Sequence, residues 1–143
     1  MNDLHWLTAT EAWAAFASGV LSPVELMRAL IDRIDRLDPA INAFIRLDRD
    51  HALHEAAIAE AEIRGGRARG PLAGIPVGIK DIFDVAGLPI TCHSKILLDN
   101  VAATDAVAVA KLRQAGGIVI GKLATHEFAI GGPSFDLPFP PAR

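Results

Sequence analysis

Cysteine is nearly absent. Cys92 stands alone, so no internal disulfide can form and no cysteine-rich zinc site can be built. A chain that does without disulfides suits a reducing compartment, and the cytoplasm is the expected location. Long uncharged runs are missing as well. The longest, from Ala12 to Val24, is broken by Ser18, Gly19, Ser22 and Pro23 and falls short of the ~20 apolar residues that a membrane helix needs. The start, Met1-Asn2-Asp3-Leu4-His5, carries neither the cationic nor the apolar region of a secretion signal. Nor is one sign of charge in excess: 14 Lys and Arg are interspersed with 17 Asp and Glu for a formal charge of -3. That balance leaves no electrostatic footprint for nucleic acid or anionic lipid. A small molecule or a protein is the expected partner.

What is present is apolar material, 51% of 143 residues, enough for one domain with one core. The first half reads as helices. Thr8-Ala9-Thr10-Glu11 and Ser22-Pro23-Val24-Glu25 both have the S/T-x-x-E form, in which hydroxyl and carboxylate each satisfy an orphan backbone donor. Pro23 adds a first-turn residue whose missing N–H costs nothing. Apolar residues follow at helical spacing: Ala9, Ala12, Trp13 and Phe16, then Met27, Leu30, Ile31 and Ile34. Asp38-Pro39 is expected to close the second helix, and Ala43-Phe44-Ile45 to form a short strand. Asp48 is placed to cap a third helix, running to about Arg64 and ended by Gly65-Gly66.

From Gly70 the texture changes. A turn-rich stretch, Gly70-Pro71-Leu72-Ala73-Gly74, leads into Ile75-Pro76-Val77-Gly78-Ile79, a buried-strand pattern. Thr104-Asp105 is expected to cap a helix through Ala115, with Gly116-Gly117 ending it and Ile118-Val119-Ile120 forming a second buried strand. Strand, helical crossover and strand make a parallel βαβ unit. The fold class is therefore α/β: N-terminal helices followed by part of a helix-covered mixed or parallel sheet. Residues 1–66 are mainly helical, 70–131 hold the βαβ unit, and 132–143 form a proline-rich open end. Two parallel strands do not complete such a sheet, so the domain is expected to be incomplete. The alternative from pattern alone is a small α+β domain with a flexible tail.

Lys80 is the odd residue in the best strand, following Ile75, Val77 and Ile79 and preceding Ile82 and Phe83. In water a lysine has a pKa of about 10.4, but burial can lower it by as much as ~3–5 units. A desolvated Lys80 is thus a candidate general base. The plainer reading has its stem on apolar surface and its ammonium reaching water or Asp81.

The stretch Gly70-Pro71-Leu72-Ala73-Gly74-Ile75-Pro76-Val77-Gly78-Ile79-Lys80-Asp81 resembles the lysine-bearing segment of the amidase signature family. The likeness continues in order through Gly87-Leu88-Pro89-Ile90-Thr91, Thr104-Asp105-Ala106-Val107, the stretch from Leu112 to Lys122, and Thr125-His126-Glu127-Phe128-Ala129-Ile130-Gly131. It also includes Ser22-Pro23-Val24-Glu25 and Asp38-Pro39.

The resemblance implies a single amidase domain of which residues 1–143 are the N-terminal part. It further implies hydrolysis of a carboxylic amide by a Ser–cis-Ser–Lys triad, with Lys80 as the buried lysine and no cofactor or metal. The stretch from Phe128 to Ser134 is the implied pocket wall, making Phe128 and Ser134 candidate substrate contacts; Lys122 and Glu127 read as structural charges. The family's serines lie in a Gly/Ser-rich segment, whereas this chain has only Ser18, Ser22, Ser94 and Ser134, none in that context. Alone it is expected to be inactive. Hydrolysis and glutamine-dependent transamidation both stay open, as do a homo-oligomer or a partner subunit. The contrasting function is a truncated, non-catalytic relative that binds a partner subunit.

Three other patterns carry less. Gly116 to Leu123 has the glycines and lysine of a phosphate loop but places Leu123 where a hydroxyl is needed and a β-branched run where a loop is needed. His51 and His54 lack the spacing and further ligands of a metal site. Cys92-His93 reads as adjacent strand residues pointing apart, with Cys92 as a small packed hydrophobe.

Overall fold

A computed structural model describes residues 4–133 and 135–143. Both capping boxes form as the sequence requires. The Thr8 hydroxyl accepts from Glu11 N and the Glu11 carboxylate accepts from Thr8 N, opening α1 (Ala9–Ala17). Ser22 and Glu25 repeat the exchange at the start of α2 (Pro23–Ile41), with Pro23 in the first turn. β1 (Phe44–Leu47), α3 (Arg49–Arg64), β2 (Pro76–Lys80), α4 (Val107–Gln114) and β3 (Ile118–Leu123) follow.

The three strands make one mixed sheet in the order β1-β3-β2. β2 and β3 run parallel through the α4 crossover, and β1 lies antiparallel on the other side of β3. Alternation along β3 divides the core. Ile118 and Ile120 pack with Met27, Ile31, Ala52 and Ala56 of α2 and α3, while Val119 packs with Ile79 and with Val109 of α4. Helices therefore cover both faces of the sheet, as a parallel pair demands. A third cluster, Phe16, Leu21, Leu26 and Ile75, joins α1 to the approach to β2. Two glycines permit close approach. A Cβ on Gly121 would stand 2.3 Å from the Arg46 carbonyl oxygen of β1, and Gly116, at φ +91, passes within 2.6 Å of Ala73 Cα by the same measure.

Several element ends differ from the sequence-based reading. α2 does not stop at Asp38-Pro39: Pro39 lies inside its last turn and the helix runs on to Ile41 before Asn42 turns left-handed at φ 56. Pro39 leaves the Asp35 carbonyl without the donor that an N–H at residue 39 would supply, and Asp38 Oδ1 accepts from Ala43 N and Phe44 N, fixing the turn into β1. Asp48 precedes α3 without a side-chain capping bond. Asp105 does not cap α4, which begins after Ala106. Its carboxylate accepts from Ala86 N at 2.7 Å and faces Arg113 at 3.2 Å, tying the crossover loop to the helix.

Replacing Ser22 with alanine removes one half of a capping box. Urea unfolding of the Ser22→Ala variant is expected to show a loss of about 1 kcal/mol; an unchanged midpoint would mean that α2 does not need its cap.

Candidate active site

β2 ends in Lys80 and the chain turns at Asp81, which is fully buried. Burying a carboxylate is costly unless it is paired and hydrogen-bonded, and Asp81 is both. Its Oδ1 lies 2.8 Å from Lys122 Nζ, with both side chains wholly inaccessible. Its Oδ2 accepts from Thr91 N at 3.0 Å and from Thr91 Oγ1 at 2.5 Å. Lys122 donates further to the carbonyls of Phe83 at 2.9 Å and Pro89 at 3.2 Å. One ion pair thus closes the loop from residue 81 to 91 onto β3. The expectation of Lys122 as a structural charge agrees with this, and its burial inside β3 leaves no phosphate loop at 116–123.

Lys80 is in a different setting. Strand alternation sends it away from Ile79, which is 5% exposed and in the core. The expectation that Lys80 is buried is therefore corrected: its side chain is exposed and opens into a cleft of about 260 Å³. The buried lysine is Lys122, because the Asp81 carboxylate and two loop carbonyls converge on it, and among the described residues nothing of the kind converges on Lys80. The cleft lies beyond the carboxyl ends of β2 and β3, where open α/β sheets hold their ligands. Thr125, His126, Pro133 and Leu137 form part of its wall.

Cys92 and His93 are not strand neighbours. Both adopt left-handed backbone, at φ 48 and 58, in the turn after Thr91. Burial, followed by the Asp81 carboxylate, pushes the Cys92 thiol up from its ordinary pKa, the opposite of what a nucleophile requires. His93, 1% exposed, lines the Lys80 cleft. Its backbone N–H donates to Thr91 Oγ1 at 3.0 Å, and its Nε2 lies 2.9 Å from the Phe139 carbonyl oxygen.

Ser94 is buried and donates to Glu127 at 2.7 Å, giving Glu127 the structural part expected of it. Phe128, at φ 49, donates its N–H to the Cys92 carbonyl and leaves its ring 46% exposed; it is not on the cleft wall, whereas Pro133 is. Ser134 lies outside the described residues. Asp81, Thr91 and His93 were met in the sequence without the parts they play here: Asp81 read as a partner for Lys80 and not for Lys122, and nothing local tied Thr91 or His93 to the site. Among the described residues, no cluster of three or more His, Cys, Asp or Glu side chains is arranged to hold a metal. No helix among them is long and apolar enough to cross a membrane.

This architecture is that of an α/β protein with a lysine at the carboxyl end of a parallel strand, backed by a buried ion pair. Residues 25–141 match the family model for Amidase, and the chain belongs to that family. It is 42% identical over 143 residues, its whole length, to a glutamyl-tRNA(Gln) amidotransferase subunit of Acidothermus cellulolyticus, covering 28% of that protein. It is 45% identical over 126 residues, 88% of the chain, to an acylamidase of Rhodococcus erythropolis, covering 26% of it. The native peptide amidase from Stenotrophomonas maltophilia superposes with a TM-score of 0.83 at 35% identity, over 90% of this chain and 26% of that one. The chain thus spans little more than a quarter of the length of these relatives.

Two outcomes test the geometry. Lys122→Met leaves Asp81 buried without its cation and is expected to cost about 3–5 kcal/mol in denaturant unfolding; a loss below about 1 kcal/mol would mean that water reaches the pair. Cys92 is expected to alkylate with iodoacetamide only at higher pH than a free cysteine, since the raised thiol yields thiolate later. A half-maximal rate at lower pH would contradict its assignment as an inert packed residue.

Proposed function

We propose that this segment supplies the general base of an amide-hydrolysing centre, Lys80, to serines carried by a further segment beyond these residues. The observation that supports this most is the placement of Lys80. It follows the buried Ile79 and stands on a cleft at the carboxyl ends of two parallel strands, in a chain of the amidase family.

The serines among the described residues have other work. Ser18 Oγ donates to the Ala15 carbonyl, Ser22 caps α2, and Ser94 is held by Glu127. In the proposed reaction Lys80, as a neutral amine, takes a proton from a bridging serine, which deprotonates the nucleophilic serine. The resulting alkoxide attacks the amide carbonyl and the tetrahedral adduct expels the amine, which leaves with the proton. Water then repeats the sequence on the acyl ester and releases the acid. The amine must be desolvated to serve, and covering the open cleft with the serine-bearing segment is what would exclude water there. The acylamidase relative supports hydrolysis; the amidotransferase relatives support a variant in which the released ammonia is passed to an acceptor. Pro133, on the cleft wall, supports a part in the candidate acyl pocket for its end of the stretch from Phe128 to Ser134.

The test is a chimera in which residues 1–143 replace the matching part of the Rhodococcus erythropolis acylamidase, assayed for ammonia or amine release. Turnover is expected from the chimera and none from residues 1–143 alone. Lys80→Ala and Lys80→Arg in the chimera are each expected to lower kcat by at least about 100-fold, since a guanidinium stays charged and accepts no proton. An arginine variant with near-parental kcat would refute the role given to Lys80.

A further inference from the structure

His93 is held in a way that the fold alone does not require. Its Nε2 faces a carbonyl oxygen, that of Phe139 at 2.9 Å, and a carbonyl only accepts. Nε2 must therefore carry the hydrogen, which leaves Nδ1 of the neutral ring as a lone-pair acceptor. The ring is locked further by an edge-on contact with Phe139, at 5.4 Å between centroids and 90° between planes. Yet Nδ1 is buried with no hydrogen-bond partner. A second buried polar atom, Thr125 Oγ1, is also unpartnered, so the two do not satisfy one another. Both residues line the cleft that holds Lys80. Orphaned buried acceptors are uncommon and costly, and an acceptor can be satisfied only by a donor. Lys80 brings N–H donors to the same cleft on a flexible stem, two of them even as the neutral amine.

We infer that His93 is a positioning residue for Lys80: in the covered site its Nδ1 accepts a hydrogen bond from the Lys80 amine. This bond turns the amine's remaining lone pair or proton toward the reacting serine. The imidazole directs the amine and is not itself the base. The inference rests on the reading of Lys80 as the base.

The two ring nitrogens can be tested separately in the acylamidase chimera. Asparagine places an acceptor oxygen where Nδ1 stands, gives up the bond to Phe139, and tolerates the left-handed backbone at this position. Glutamine reaches the Phe139 carbonyl with its amide but has no acceptor at the Nδ1 position. His93→Gln is expected to lower kcat by at least about 10-fold with KM unchanged, because misdirecting a reacting group costs rate rather than binding. His93→Asn is expected to stay within about 3-fold of the parent. If asparagine loses as much as glutamine, or glutamine keeps its kcat, the side chain serves only to hold the tail and the inference is overturned.

A measurement that leaves residue 93 unchanged covers the case in which a His93 variant fails to fold. With nitrogen-15-labelled histidine, the Nδ1 resonance of His93 is expected to move when Lys80 is changed to methionine. A resonance that stays in place overturns the inference. Full turnover by Lys80→Arg would instead bring down the reading of the base itself, whereas an active His93→Gln beside an inactive Lys80→Arg would remove only the role of His93.

Discussion

The site is organised by the burial of two opposite charges at one point, Asp81 against Lys122. Lys122 is ion-paired with the Asp81 carboxylate and donates hydrogen bonds to the carbonyls of Phe83 and Pro89. The second carboxylate oxygen takes both the backbone and the hydroxyl of Thr91. A buried pair of this kind gives little net stability over an apolar equivalent, but removing either member strands the other. Its effect is to specify. Residues 83, 89 and 91 have one place to be, and the turn that carries Cys92, His93 and Ser94 starts from that place.

Lys80 inherits its position from this arrangement without taking part in it. Its neighbour Asp81 donates its backbone N–H to the Leu123 carbonyl, so the end of β2 is pinned to the end of β3. The register between the strands shifts between Val77 and Gly78, after which Ile79 pairs with Lys122 and Lys80 with Leu123. Cross-strand partners share a face, so the two lysines leave the sheet on opposite sides. One enters the loop core and the other the cleft. Close packing of β1 against Gly121, where no side chain would fit, keeps β3 from sliding past this register.

Much of the scaffold was legible in the sequence because it rests on local chemistry. The capping boxes at Thr8 and Ser22, the β-branched run at Ile118 and the parallel crossover all follow from neighbouring residues. The errors arise where the partner is distant. Ile79-Lys80 and Gly121-Lys122 both follow apolar runs, and periodicity alone cannot say which lysine is buried. That depends on carbonyls at residues 83 and 89 and on a register shift that no local pattern encodes. Asp105 looked like a helix cap because its sequence position allows it; in the fold, Ala86 N and Arg113 compete for the same carboxylate and win. His93 was illegible for a similar reason, since its bond to the Phe139 carbonyl spans 46 residues.

The contrast between the two lysines bears on the role proposed for Lys80. Covalent neighbours and strand pairing decide where an amine sits; what covers it decides whether it is charged. In this segment the first is complete, since Lys80 cannot move without disturbing Ile79, Asp81 and the strand ends that hold them. The second is not, because the side chain meets an open cleft and water. A lysine buried from the outset, as Lys122 is, has its amine engaged by a carboxylate and two carbonyls and faces no cleft. The anion stands on the far side of the sheet and the unpaired His93 Nδ1 on the near side, so in the proposed covered site desolvation would act on an amine set apart from that anion.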